Sequence, residues 1–167
     1  MTGDPDHFAV FRLPRRLRVD AKALTSTFLA LSRECHPDRF AGADAAVQRK
    51  SARVNDAYRV LKDDVARAEY LLELEGVERP AGEAKCPPDL LEEVFELREA
   101  MMEGDGEAAR TRAKSLLADA ESSLDPLYAE YDEAPDGETA RRVLGKLRAA
   151  LDRRRFIAGL VAETGHA

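Results

Sequence analysis

The chain has 167 residues, enough for one domain or two small ones. It is 44% hydrophobic and 35% charged, poor in aromatics and without Trp, a mix that suits packed amphipathic helices and disfavours a β-sandwich, whose strands want aromatic and β-branched residues. The formal net charge of −6 argues against nucleic-acid binding, and no apolar run approaches the ~20 residues of a membrane span.

Met1 to Phe8 carries Asp4 and Asp6 and no apolar run, so it reads as neither a signal nor a transit peptide. Cys35 and Cys86 lie far apart and lack metal-ligand spacing. No disulfide framework and no metal are expected, and a reducing compartment, the cytoplasm, is the expected location. Charge is unevenly spread. Between Arg12 and Arg39 the bases Arg12, Arg15, Arg16, Arg18, Lys22, Arg33 and Arg39 outnumber Asp20, Glu34 and Asp38. Between Asp89 and Glu107 eight carboxylates stand against Arg98 alone. That asymmetry points to two surfaces for two partners.

Taken in order, Asp6 to Phe11 is read as one helical turn ended by Leu13-Pro14. Asp20 is an N-cap for the next helix. Ala21, Leu24, Phe28, Leu31 and Cys35 recur at three- and four-residue steps as one apolar stripe. Cys35 on that stripe reads as a small buried hydrophobe rather than a nucleophile. A Cys35–His36 dyad is disfavoured because neighbours at a helix end point apart and no third orienting group is evident.

Pro37 pushes His36 out of the α region, so the helix stops there. Phe40 to Asp44 reads as loop, with Asp44 a cap for a second long helix marked by Val47, Ser51, Val54, Tyr58, Leu61 and Val65. The short loop makes the two helices an antiparallel pair. Lys62-Asp63-Asp64 marks a break, and Ala66 to Leu74 resumes as a short helix. From Glu75 to Pro88 the residues Gly76, Pro80, Gly82, Pro87 and Pro88 give a linker signature.

Three more helical patterns follow. Leu90, Val94, Leu97 and Met101 form the core stripe of the first, which Gly104-Asp105-Gly106 ends. Ala113 to Leu127 marks the second, with a kink or restart at Asp125-Pro126. Pro135-Asp136-Gly137 is a turn with Asp136 as N-cap, and Ala140 to Val161 marks the third. Together they read as an antiparallel three-helix bundle. On the first of them Leu91, Phe95, Arg98 and Met102 fall on a separate stripe, beside a ridge of Glu92, Glu96, Glu99 and Glu103. Apolar surface left over beside a core stripe is surface for a partner, and Leu91, Phe95 and Met102 are expected to be exposed.

A helix, a rigid His36-Pro37-Asp38 turn and a second helix resemble the J-domain, the module that stimulates DnaK-type chaperone ATPases. Nearly the whole chain resembles the HscB type of J-domain co-chaperone, which serves iron–sulfur cluster assembly. The resemblance runs through Asp6-His7-Phe8-Ala9-Val10-Phe11-Arg12-Leu13, His36-Pro37-Asp38-Arg39-Phe40, Ser51 to Tyr58, and Ala66-Arg67-Ala68-Glu69-Tyr70-Leu71-Leu72. Leu97-Arg98-Glu99 falls where that family carries its scaffold-binding helix.

The resemblance implies an all-α chain: a J-domain over 1–75, a linker over 76–88 and a scaffold-binding three-helix domain over 89–167. It implies a co-chaperone and not an enzyme, with no cofactor and two partners, a DnaK-type ATPase and an iron–sulfur cluster scaffold protein. His36, Pro37, Asp38, Arg33, Arg39 and Lys22 would meet the chaperone. Leu91, Glu92, Phe95, Glu96, Arg98, Glu99, Met102 and Glu103 would meet the scaffold. The chain departs from the family at Cys35, where relatives often have Tyr, at Glu34 beside Arg33, and at Ala149, where relatives can carry a partner-contacting Phe. It also lacks the zinc-binding cysteine pairs of some members. A different client, a helical adaptor without chaperone activity, and weak self-association stay open.

Overall fold

The computed structural model describes residues 5–35, 45–79, 81–82 and 85–165, and among them all regular structure is helical. The chain divides into two compact units, Met1–Glu75 and Gly76–Ala167.

The first unit holds α1 (His7–Val10), α2 (Ala21–Glu34), α3 (Ala45–Lys62) and α4 (Asp64–Leu74). Three aspartates set the helix starts. Asp6 accepts from the Ala9 N–H at 2.8 Å, Asp20 from Lys22 and Ala23, and Asp63 from Ala66 at 2.7 Å. Each carboxylate satisfies amide donors that a helix leaves orphaned in its first turn. Asp63 lies within the break expected over Lys62-Asp63-Asp64, but its capping bond starts α4 at Asp64 and not at Ala66, so Val65 belongs to α4 and not to the long stripe of α3.

The ladder between α2 and α3 shows their direction. Thr25 meets Tyr58 at 3.2 Å, whereas Glu34, further along α2, pairs with Lys50, further back on α3, at 3.7 Å. The two helices are antiparallel. Phe28 stacks on Tyr58 with ring centres 4.1 Å apart. Leu24 and Cys35 are buried with Phe8, Phe11, Leu17, Val54, Ala57, Leu61, Ala68, Leu71 and Leu72. Ala21 corrects the expected stripe: it is exposed, at the first helical position and one turn before the Thr25–Tyr58 contact with α3.

The second unit opens with a 3-10 turn, Pro88–Leu90, and continues as α5 (Leu91–Met102), α6 (Gly106–Ser122), α7 (Leu124–Asp132) and α8 (Gly137–Thr164). Gly104 reverses the chain after α5 at φ +90°, a region that suits glycine. Asp136 caps α8 by accepting from Thr139 at 2.7 Å.

The second of the three expected helices is present as two segments, α6 and α7. The restart falls at Ser123 and not at Asp125-Pro126. Pro126 sits in the first turn of α7, where no amide donor is required, so it does not break the helix there.

Helix α6 packs between α5 and α8, and α7 packs along α8. Its small inward residues Ala109, Ala113 and Ala120 let Leu90, Val94 and Leu97 of the 3-10 turn and α5 share one core with Ile157 and Leu160 of α8. Leu124, Tyr128, Val143, Leu144, Leu147 and Leu151 are buried further along α7 and α8.

Candidate partner-binding surfaces

Helix α5 presents three different faces. Val94 and Leu97 point inward, with Met101 half-buried behind them. Leu91, Phe95 and Met102 remain 59%, 68% and 85% exposed, as their separate stripe requires. A phenyl ring that open is not part of a core. Arg98, on the same stripe, is exposed and pairs with Glu163 of α8 at 3.6 Å. Glu92, Glu96, Glu99 and Glu103 are all exposed at steps of four, three and four, so they line one side of the helix.

Glu93 was not among the residues singled out by the sequence, because its position lies off the acidic ridge. Its carboxylate receives a hydrogen bond from Arg112 of α6. That bond holds the Glu93 carboxyl below its ordinary value and raises the Arg112 guanidinium. Beneath the pair is a groove of about 300 Å³ between α5 and α6, lined by Glu93, Glu96, Leu97, Ala100, Ala108, Ala109 and Arg112. Sequence spacing on one helix cannot reveal a pair made across two.

In the first unit Lys22, Ser26, Leu29 and Arg33 are exposed on one stripe of α2. The helix ends at its C-cap Cys35, immediately before His36 in the sequence. His36, Pro37, Asp38, Arg39 and the expected cap Asp44 lie outside the described residues. Cys35 is 2% exposed, in keeping with a packing role and not a nucleophile's.

A further residue that the sequence reading left without a role is Arg67. It is 4% exposed, yet it donates to the backbone carbonyls of Leu17, at 2.7 Å, and Leu61, and pairs with Asp64. A charged side chain so buried needs partners of this kind. Arg67 ties the loop before α2 to the end of α3 and the start of α4. Its place among Ala66, Ala68, Leu71 and Leu72 was the one available signal.

Among the described residues no group of His, Cys, Asp and Glu could hold a metal ion, and no helix is long and apolar enough to cross a membrane.

The family model described as DnaJ domain matches residues 6–70, which lie within the first unit. An antiparallel helix pair joined across a His-Pro-Asp segment, with this match, defines a J-domain protein that carries a second helical unit. A co-chaperone protein HscB homologue of Vibrio campbellii is 34% identical over 164 residues, covering 95% of this chain and 94% of its own. The chain belongs to the HscB family of J-domain co-chaperones. Among solved structures, the chaperone HscB from Vibrio cholerae aligns with a TM-score of 0.64 at 30% identity, over 97% of this chain and 96% of that one. The human co-chaperone protein HscB shares the fold, with a TM-score of 0.74 at 24% identity, over 98% of this chain and 83% of that one.

Proposed function

We propose that this co-chaperone stimulates the ATPase of a DnaK-type chaperone through its first unit and delivers an iron–sulfur cluster scaffold protein through its second. The observation that carries the reading is the exposed Leu91–Phe95–Met102 stripe beside four aligned carboxylates, in a chain of the HscB family. Apolar anchors ringed by charge suit a specific, reversible interface: the anchors contribute affinity, and the charges select register.

On the chaperone side, Pro37 stiffens the turn. Asp38 accepts a charge-assisted hydrogen bond from a chaperone Arg, worth ~1.5–3 kcal/mol. His36 orients the turn, and Lys22, Arg33 and Arg39 steer toward an acidic surface. Binding the ATPase in its hydrolysis-competent arrangement shifts its population that way.

The test is single-turnover ATP hydrolysis by a DnaK-type chaperone, with and without the scaffold protein. The wild-type protein is expected to accelerate hydrolysis, and the scaffold to accelerate it further. His36→Gln and Asp38→Asn are expected to abolish the acceleration while keeping a wild-type circular dichroism spectrum. Full stimulation by a folded Asp38→Asn protein would remove the chaperone half of the reading. Absence of scaffold binding would remove the other half.

A further inference from the structure

The groove between α5 and α6 shares Glu96 with the acidic ridge, so it continues the face proposed for the scaffold. Its floor is apolar and made of short side chains, Ala100, Ala108 and Ala109, with Leu97. At about 300 Å³ it lies at the small end of ligand pockets, a fit for one long side chain. The methylene stem of a Lys or Arg packs on such a floor while its charged head stays at the rim.

The rim is net acidic. Glu93 and Glu96 face one cation, Arg112, and Glu92 and Glu99 follow along the helix. Arg112 itself is exposed on α6, and Glu96 and Asp119 act on it along with Glu93. An exposed ion pair of this type is weak and readily exchanged.

We infer that Arg112 is a built-in competitor: it occupies Glu93 in the free protein and gives it up to a lysine or arginine of the scaffold protein, whose stem enters the α5–α6 groove. The exchange swaps one exposed ion pair for another, and the released Arg112 head returns to water. Arg112 therefore sets a threshold. Only a partner segment with a cation placed to reach the groove while its apolar residues cover Phe95 gains both contacts. The inference rests on the reading of α5 as the scaffold-facing helix.

The experiment measures binding of the full-length protein to the cluster-free scaffold protein, by calorimetry and stopped flow at low and high salt. Arg112→Gln is expected to bind roughly two- to fivefold tighter at low salt, the scale of one exposed ion pair, and to associate faster. The gain shrinks as salt rises. Glu93→Gln is expected to bind more weakly by a similar factor, Arg112→Lys to behave as wild type, and Glu93→Gln with Arg112→Gln to lose the gain.

Unchanged or weaker binding by Arg112→Gln overturns the inference, since a mere staple between helices, or a direct contact to a partner carboxylate, moves affinity that way. Loss of helical content or a lower melting temperature in that variant overturns it too, by making the pair structural. If the wild-type protein fails to bind, or Phe95→Ala binds as well as wild type, the reading of α5 has failed first. If Phe95→Ala weakens binding and Arg112→Gln does not tighten it, only the competitor role has failed.

Discussion

At the residue scale, Arg67 and Phe95 are opposite cases. Each sits against expectation for its chemistry, a charge inside and an aromatic outside, and the reasons differ. Arg67 is held by what it satisfies, the carbonyls of Leu17 and Leu61 and the carboxylate of Asp64. Arg67→Met keeps most of the volume but leaves two carbonyls without their donor, and is expected to cost about 3 kcal/mol, from roughly 1–3 per unsatisfied group. Urea unfolding of the full chain checks it, and a loss below 1 kcal/mol would contradict the role given to those bonds. Phe95 makes no comparable demand on the fold. Phe95→Ala is expected to leave the unfolding midpoint unchanged and to weaken scaffold binding about thirtyfold, some 2 kcal/mol. The apolar stripe on α5 was legible from spacing alone, because a second stripe beside a core stripe follows from the helical period. The burial of Arg67 was not, because its partners come from a loop 50 residues earlier in the chain and from the end of α3.

At the element scale, the caps at Asp20 and Asp136 were legible, each a short polar residue before an apolar period, whereas at Asp63 only a break in the helix was legible and its capping bond was not. Asp63→Ala is expected to cost about 1 kcal/mol, because the Ala66 amide loses its acceptor at the start of α4. Chemical denaturation measures that loss directly. Helix α1 is too short to persist alone. It is kept by Phe8 and Phe11 in the core, and by His7, whose ring stacks on Tyr70 at 4.3 Å and whose amide donates to the Tyr70 hydroxyl. Burial pulls the His7 imidazole below its usual value of 6.5, against the opposite pull of Asp56, Asp6 and Glu73. The folded state then binds protons less readily than the unfolded chain, so His7's contribution is complete above pH 6.5 and lost as pH falls from there toward the folded value. His7→Gln is expected to lose less melting temperature than wild type between pH 7.5 and 5.5. An identical loss in both proteins would deny His7 that part.

At the scale of the whole molecule, the division after Glu75 separates the residues assigned to the chaperone from those assigned to the scaffold. A fragment ending at Glu75 contains all the capping aspartates of α1, α2 and α4, together with Arg67 and its three partners. It is expected to fold and to stimulate the ATPase, yet to show no further acceleration on adding the scaffold protein. A fragment that folds but does not stimulate would show that the work is not divided this way. Sequence by itself determined the helical class, the caps at Asp20 and Asp136, the antiparallel pairing of α2 with α3 and the two-faced character of α5. All of these depend on residues within a few turns of each other, where the 3.6-residue period and first-turn hydrogen bonding decide the outcome. Only the tertiary structure decided that Ala21 is left in solvent, that the helix after Gly104 restarts at Ser123, that Arg67 is buried with partners, and that Glu93 meets Arg112 above a groove. Those outcomes depend on which residues distant in the chain come to lie together. Packing settles that, and no local pattern encodes it.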